Sequence, residues 1–280
     1  LIKIMISTSF QYKRATSVED ALNALNQDSK ILAGGHSLIP ALKLRINYTD
    51  ALIDISKIAS LKKISVDGST LCIGAAATHA DIASNTDVKA HAALFAQVAG
   101  QIGDVQVRNA GTIGGSIAHA DPAADWPAAL LAADATVLVQ SKTGSRQIAA
   151  ADFFTGIYST ALEPDELITE IKVPSMQAKK AHYEKFAQPA SRFALVGCAV
   201  AADTNGGNLR IAFTGVSDTP YLDKKAQQAL DGKTLDEHTI ASAVAAMDTS
   251  VYTMSDHYAN EKYRRHLAGV MMSRALAAIS

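Results

Sequence analysis

Two glycine-rich segments constrain this chain more than any other feature: Ala33-Gly34-Gly35-His36-Ser37 and Gly111-Thr112-Ile113-Gly114-Gly115-Ser116. Each is flanked by apolar residues. Glycine lets a backbone approach a ligand closely and adopt conformations denied to other residues. Successive N–H groups in such turns make concave anion sites, and a following helix start adds partial positive charge. Two turns of this kind, helped by the hydroxyls of Ser37, Thr112 and Ser116, can grip a diphosphate from both sides. A single Gly-Gly pair is more often only a structural turn, so the reading rests on having two.

Other phosphate and nucleophile motifs are excluded. Neither segment has the GxGxxG spacing of a Rossmann fingerprint. Gly232-Lys233-Thr234 imitates the end of a P-loop, but Gln227 stands where the earlier glycine belongs. Neither Ser37 nor Ser116 lies in a GxSxG elbow. The 280 residues carry a formal net charge of −1 with no basic run, which argues against a nucleic-acid ligand. Cys72 and Cys198 stand alone in apolar surroundings, so neither a metal site, a cluster nor a disulfide framework is expected. The apolar run Leu1 to Phe10 is too short for a membrane span and lacks a signal-peptide pattern. A reducing cytoplasm is the expected compartment.

Apolar periodicity predicts the elements around these segments. Ser17 caps a helix over residues 18–26, residues 30–33 form a short strand, Ser37 starts another helix, and residues 51–55 complete a βαβ-like unit. Asp67-Gly68-Ser69-Thr70 turns a hairpin between residues 64–66 and 71–73. Helices are expected over 87–99 and 125–133, another helical turn begins at Thr78, and strands span 135–140 and 167–173. The polar stretch Ser175 to Lys180, after Pro174, is the best domain boundary. Beyond it lie three strands, 181–186, 195–202 and 209–216, with Asn205-Gly206-Gly207-Asn208 turning the last pair. Helices follow from about residue 223, and a long one closes the chain from about residue 259.

Longer stretches around the glycines carry a resemblance. Residues 31–45 (ILAGGHSLIPALKLR) with 52–55 (LIDI) resemble the first FAD loop of the molybdenum hydroxylase flavoprotein family. Residues 106–125 (QVRNAGTIGGSIAHADPAAD) are similar to its second loop. The likeness continues through Asp165-Glu166-Leu167-Ile168 and Tyr183-Glu184-Lys185 into the C-terminal third. His36, where many relatives have Gln, is similar to the branch of aerobic carbon monoxide dehydrogenase medium subunits within the xanthine dehydrogenase family.

The resemblance implies an α+β chain. Residues 1–174 would form a p-cresol methylhydroxylase-type FAD-binding fold of two α/β subdomains, about 1–57 and 58–174. Residues 178–280 would form a domain with a three-stranded antiparallel sheet and helices. It also implies roles. Backbone amides of Ala33, Gly34, Gly35, His36 and Ser37, and of Thr112, Ile113, Gly114, Gly115 and Ser116, would hold the FAD diphosphate. Asp125 would bind the adenosine ribose, or cap the helix that follows it. Leu167 would pack on the isoalloxazine ring, Lys185 would lie beside the flavin, and Ile102 near the adenine or the ring. Phe193 stands where relatives have an aromatic that shields the flavin; the Arg and Asp that often precede it are replaced by Gln188-Pro189-Ala190-Ser191-Arg192.

The implied function is electron relay through non-covalent FAD. The molybdenum cofactor and [2Fe-2S] clusters would reside on a large and a small partner subunit, arranged as a dimer of heterotrimers. Two other readings stay open. A self-sufficient flavin oxidase would link FAD covalently to His36, and a flavin-free scaffold would only hold other subunits together. His119 and Asp121 suggest a metal pair but lack a third ligand, so a loop-stabilising role is expected and no metal is assigned.

Overall fold

The computed structural model describes residues 6–280, so the first half of the apolar run Leu1 to Phe10 lies outside the described residues. The chain begins with strand β1 (Gln11–Arg14), helix Val18–Ala24, strand β2 (Ser29–Leu32), helix Leu38–Lys43 and strand β3 (Ala51–Asp54). The three strands form a parallel sheet in the order β1-β3-β2. The expected helix–strand alternation is present. The Ser17 side chain accepts from the Asp20 backbone N–H at 3.0 Å and starts the first helix. β1 was not expected from the sequence. All four of its side chains are exposed, so it carries no apolar signal, and its order comes from pairing with the central β3.

A second sheet follows. Strands β4 (Ile64–Asp67), β5 (Thr70–Gly74), β6 (Thr136–Gln140) and β7 (Ser145–Ala149) are succeeded by a small hairpin of β8 (Phe154–Gly156) and β9 (Ser159–Thr160), then β10 (Leu167–Pro174). The order β4-β5-β10-β6-β7 is antiparallel throughout. Between β5 and β6 the chain runs through six helices. The helix expected over 87–99 is two, Thr86–His91 and Ala93–Gln101, broken at Ala92 with φ −150°. The break turns Val88, Leu94, Phe95 and Val98 into one core, where each is no more than 2 % exposed. The glycine stretch at 111–116 is also more helical than expected: Gly114 and Gly115 form the first turn of helix Ile113–His119.

Between Pro174 and Lys179 the chain has no regular element. Then come β11 (Lys179–Ala187), β12 (Ala194–Asp203), β13 (Arg210–Thr214) and β14 (Tyr221–Leu222), an antiparallel sheet of four strands where three were expected. The extra strand has two residues, too few to show a period. Helices Lys224–Leu230, Glu237–Ala245 and Glu261–Ala277 complete the chain.

β12 explains how the units join. Nine of its ten residues are buried, because both faces of the sheet are covered. Val196, Cys198, Val200 and Ala202 face a core with Leu267, Met271, Met272 and Leu276 of the closing helix. Ala199 and Ala201, on the opposite side, join the core of the second sheet and of helix Trp126–Ala132. Every residue of that helix is buried. Small side chains on this face of β12 let the helix come close.

His79 sits behind the second glycine segment at 4 % exposure. It lies in the first turn of helix His79–Ser84, which begins at Thr78 as expected, and Thr78 forms a capping box with Asp81. The Trp126 indole Nε1–H donates to His79 Nδ1 at 3.2 Å. An indole N–H only donates, so the imidazole is neutral with its own proton on Nε2. Burial, then the nearby His36 and Arg108, lower its pKa from 6.5 to about 4. A base whose folded pKa is depressed contributes stability above its unfolded pKa and loses it as pH falls through the folded value. Between pH 6.5 and about 4, His79 therefore accounts for a loss of about 3 kcal/mol. Urea unfolding of wild type and His79→Gln across this window checks it. The wild type should lose more stability on acidification by about that amount, and parallel curves would contradict the assignment.

Candidate functional site

The first glycine segment leaves β2, turns through Gly35 at φ +74°, and enters helix Leu38–Lys43. The backbone N–H groups of Gly34, Gly35, His36 and Ser37 make no hydrogen bond to the described residues. Ser37 stands at the helix N-cap without a capping bond from its side chain. Four successive donors and a hydroxyl are thus available on one turn, and His36 is exposed beside them. Anions are stabilised by such a run of amides.

The second segment is built differently. Ile113 N–H donates to Ala77 O at 3.2 Å and Gly114 N–H to Ala75 O at 2.9 Å. Gly115 N–H donates to Thr112 Oγ1 at 3.1 Å, and Ser116 N–H to Thr112 O at 3.0 Å. The expected cradle of amides from both segments is therefore lopsided. The donors at Ile113 to Ser116 already serve the helix cap and the strip after β5. This segment offers instead a surface without side chains, with Gly115 exposed and Ser116 half-buried.

The two segments touch backbone to backbone. A Cβ on Gly34 would lie 2.1 Å from Ala110 O and 2.8 Å from Gly111 Cα. A Cβ on Gly111 would lie 2.8 Å from His79 Nε2, and one on Gly114 2.6 Å from Ala75 Cβ. Real contacts are never that short, so glycine is required at all three positions. Beside the contact runs a cleft of about 180 Å³ bordered by Ala33, Gly34, Thr78 and Thr112, with Lys57 and Lys62 on its rim. Of the four free amides only that of Gly34 belongs to a residue bordering this cleft, and the bare glycine backbone beside it lets a ligand approach closely. The lysines were missed from sequence, where nothing distinguishes them from solvated charges.

A second cluster joins Asp125 and Lys185 to the end of helix Ala93–Gln101, which Ile102 follows. Lys185 Nζ lies 2.9 Å from Asp125 Oδ1 and 3.1 Å from Oδ2, and donates to Gln101 O at 3.0 Å. The Tyr183 hydroxyl donates to Asp125 Oδ1 at 2.6 Å. The charged side chains are only 3 % and 5 % exposed. Burial pushes the Asp125 carboxyl up, opposed by Lys185 and the Tyr183 hydroxyl. Asp125 makes no capping bond to its helix, because both carboxylate oxygens are already engaged. Two residues expected at different ends of the dinucleotide, at the ribose and at the ring, are thus in direct contact. Ile102 follows Gln101 at the end of helix Ala93–Gln101, and its carbonyl accepts from Arg108 Nη1 at 3.0 Å.

Leu167 is 5 % exposed in a core with Ile53, Ile55 and Ala76, against which Ala33 packs, so it lies on the side of the first segment. Phe193 is 41 % exposed, on the turn joining β11 and β12. His119 packs against Tyr158 with the rings tilted by 42°, and Asp121 Oδ1 accepts from Ala123 N–H at 2.9 Å. Both act within the loop, and no group of three metal-ligating side chains occurs among the described residues. Cys72 and Cys198 are free and buried. A larger cleft of about 350 Å³ lies in the C-terminal region between Val244 and Gly269, and none of the expected site residues borders it.

Comparison with known proteins identifies the family of the chain. Residues 8–176 match the model of the FAD binding domain in molybdopterin dehydrogenase. Residues 181–279 match that of the CO dehydrogenase flavoprotein C-terminal domain. The chain is 36% identical over 281 residues to the glyceraldehyde dehydrogenase medium chain of Sulfolobus acidocaldarius, covering 99% of this chain and 100% of that one. It is 38% identical over 281 residues to the carbon monoxide dehydrogenase medium chain of Hydrogenophaga pseudoflava, covering 98% of each. A solved carbon monoxide dehydrogenase from the same organism superposes with a TM-score of 0.93 at 39% identity, again covering 98% of each chain. Quinoline 2-oxidoreductase of Pseudomonas putida 86 gives 0.93 at 30% identity, with 98% of each chain covered. With the two domain models matched over residues 8–176 and 181–279, and relatives of this kind aligned along nearly the whole chain, the chain belongs to the family of FAD-binding medium subunits of molybdenum hydroxylases.

Proposed function

We propose that this chain carries FAD as the electron-transfer subunit of a molybdenum hydroxylase complex. In this reading a small partner holds the [2Fe-2S] clusters and a large partner the molybdenum cofactor, the whole forming a dimer of heterotrimers in the cytoplasm. No helix among the described residues is long and apolar enough to cross a membrane. The relatives support a division of labour. Medium subunits of similar sequence carry names as different as glyceraldehyde dehydrogenase, carbon monoxide dehydrogenase and nicotine 6-hydroxylase. A chain shared by such different reactions does not select the substrate.

The observation that carries the reading is the run of unpaired amides from Gly34 to Ser37 beside the bare backbone of Gly111 and Gly115. The amides of this run hold the diphosphate, with Lys57 and Lys62 adding charge. Thr112 and Ser116 line the opposite wall, Gly115 permits close approach, and the buried Ile113 and Gly114 fix the helix start behind it. Leu167 packs from the side of Ala33. Ile102, Asp125 and Lys185 form one polar–apolar corner that borders the flavin end, with Phe193 as its outer shield. The chain divides at 1–174, with subdomains meeting near residue 57, and 178–280, a reading supported by the three larger sheets. The arrangement is that of a p-cresol methylhydroxylase-type fold. Bound FAD supplies the ability to accept electrons singly and release them singly or in pairs.

Two outcomes are expected. Gly34→Ala and the double variant Gly114→Val/Gly115→Val should weaken FAD binding at least tenfold, about 1.4 kcal/mol, while amide exchange in β11–β13 stays as in wild type. Flavin fluorescence titration measures the first and hydrogen exchange the second. Full FAD retention by the double variant would contradict the site. Lys185→Met strands a buried carboxylate and should cost about 3–5 kcal/mol in urea unfolding. Adding Asp125→Asn should recover most of that loss.

A further inference from the structure

The five residues from Asp121 to Asp125 join the second glycine segment to the buried helix, and the C-terminal domain grips them. Gly215 N–H donates to Pro122 O at 2.8 Å, and Ala194 N–H to Ala123 O at 3.1 Å. Thr214 Oγ1 lies 2.9 Å from Pro122 O and 2.7 Å from Ala124 O, so its single proton is shared between two carbonyls. Three consecutive carbonyls are thereby taken by donors at the start of β12 and the end of β13. The next residue in the strip is Asp125, whose carboxylate is held by Tyr183 and Lys185 of β11.

The opposite side of these strand ends is fixed too. Arg264 of the closing helix, 3 % exposed, donates from Nη1 to Leu195 O at 2.7 Å and to Gly215 O at 2.6 Å. Its Nη2 donates to Asp256 Oδ2 at 2.5 Å. Gly215 stands at φ +77°, and a Cβ there would lie 2.7 Å from Leu195 O. Its N–H therefore faces the strip and its carbonyl faces the arginine. A buried guanidinium spent on two carbonyls of one crossover is costly unless that crossover must be held in one place. Nothing in packing alone asks for a hydroxyl at Thr214, where valine would fill the same volume.

We propose that Thr214 and Arg264 are positioning residues for the cofactor: through Gly215 they hold the strip 121–125, and with it Asp125 and Lys185, in register with the glycine segments. This rests on the reading that the Asp125–Lys185 corner borders the flavin. The closing helix, remote in sequence from both glycine segments, then sets the geometry and charge that the cofactor meets. Neither residue needs to touch the cofactor.

The test uses the full chain, reconstituted with FAD, and reads the FAD dissociation constant and the flavin midpoint potential well below the melting temperature. Thr214→Val should raise the dissociation constant about tenfold and displace the potential, and Thr214→Ser should restore both. In an Asp125→Asn background, Thr214→Val should add little, because both changes act on one element. Arg264→Lys, which reaches only one of the two carbonyls, should change both readings in the same direction and serves if the valine variant folds poorly. A merely structural role would lower thermal stability and leave potential and affinity at wild-type values. That result, with Asp125→Asn still altering both, would overturn this proposal alone. If Asp125→Asn also changed neither, the assignment of the flavin corner would fall, and this proposal with it.

Discussion

The close approach of the Gly34 backbone to Ala110 and Gly111 is the contact on which the rest of the site depends. It brings a turn with unspent amides directly against the main chain of Ala110 and Gly111, with no side chain between them. A methyl group at Gly34, Gly111 or Gly114 would collide with backbone, His79 or Ala75 and force the segments apart. The residues behind the contact hold it from the protein side. The strip Ala75 to His79 pairs with Gly111 to Gly114, and His79 is in turn fixed by Trp126. A diphosphate needs many donors, little steric bulk and a rigid frame, and these requirements fall on different pieces of chain here.

The C-terminal sheet is part of that frame. With β12 buried on both faces, the sheet lies between the helix Trp126–Ala132 and the closing helix. Its strand ends grip the strip that leads into Asp125, and β11 supplies the tyrosine and lysine that hold the carboxylate. The ion pair of Asp125 and Lys185 is expensive to bury and is a poor source of stability by itself. In the proposed function its value is a fixed charge distribution at the flavin end of the site. In an electron-relay subunit the protein acts by setting position and electrostatics, since the electron chemistry belongs to the flavin.

Much of this was legible in the sequence where turn chemistry or length made it so. Asp67-Gly68 and Asn205-Gly206-Gly207-Asn208 announced their hairpins because glycine supplies the positive φ those turns require, +56° at Gly68 and +83° at Gly206. The long match around both glycine segments identified the family, which neither Gly-Gly pair did alone. The helix through Gly114 and Gly115 was not legible, since glycine disfavours helix and only the Thr112 cap and the contact with Ala75 impose it. β1 escaped because its side chains are all exposed, and β14 because two residues show no period. The partnership of Asp125 with Lys185 spans sixty positions of chain, and a carboxylate before Trp-Pro reads locally as a helix cap. Arg264 was hidden for a similar reason. An arginine in a terminal helix reads as a solvated charge until the fold buries it against two carbonyls.

The central claim is most directly tested by a crystal structure of the chain with bound FAD. The account predicts diphosphate oxygens within about 2.7–3.2 Å of the Gly34 to Ser37 amide nitrogens, with the isoalloxazine ring toward Lys185. A diphosphate bound elsewhere, with the Gly34–Gly111 contact bordering only solvent, would contradict it.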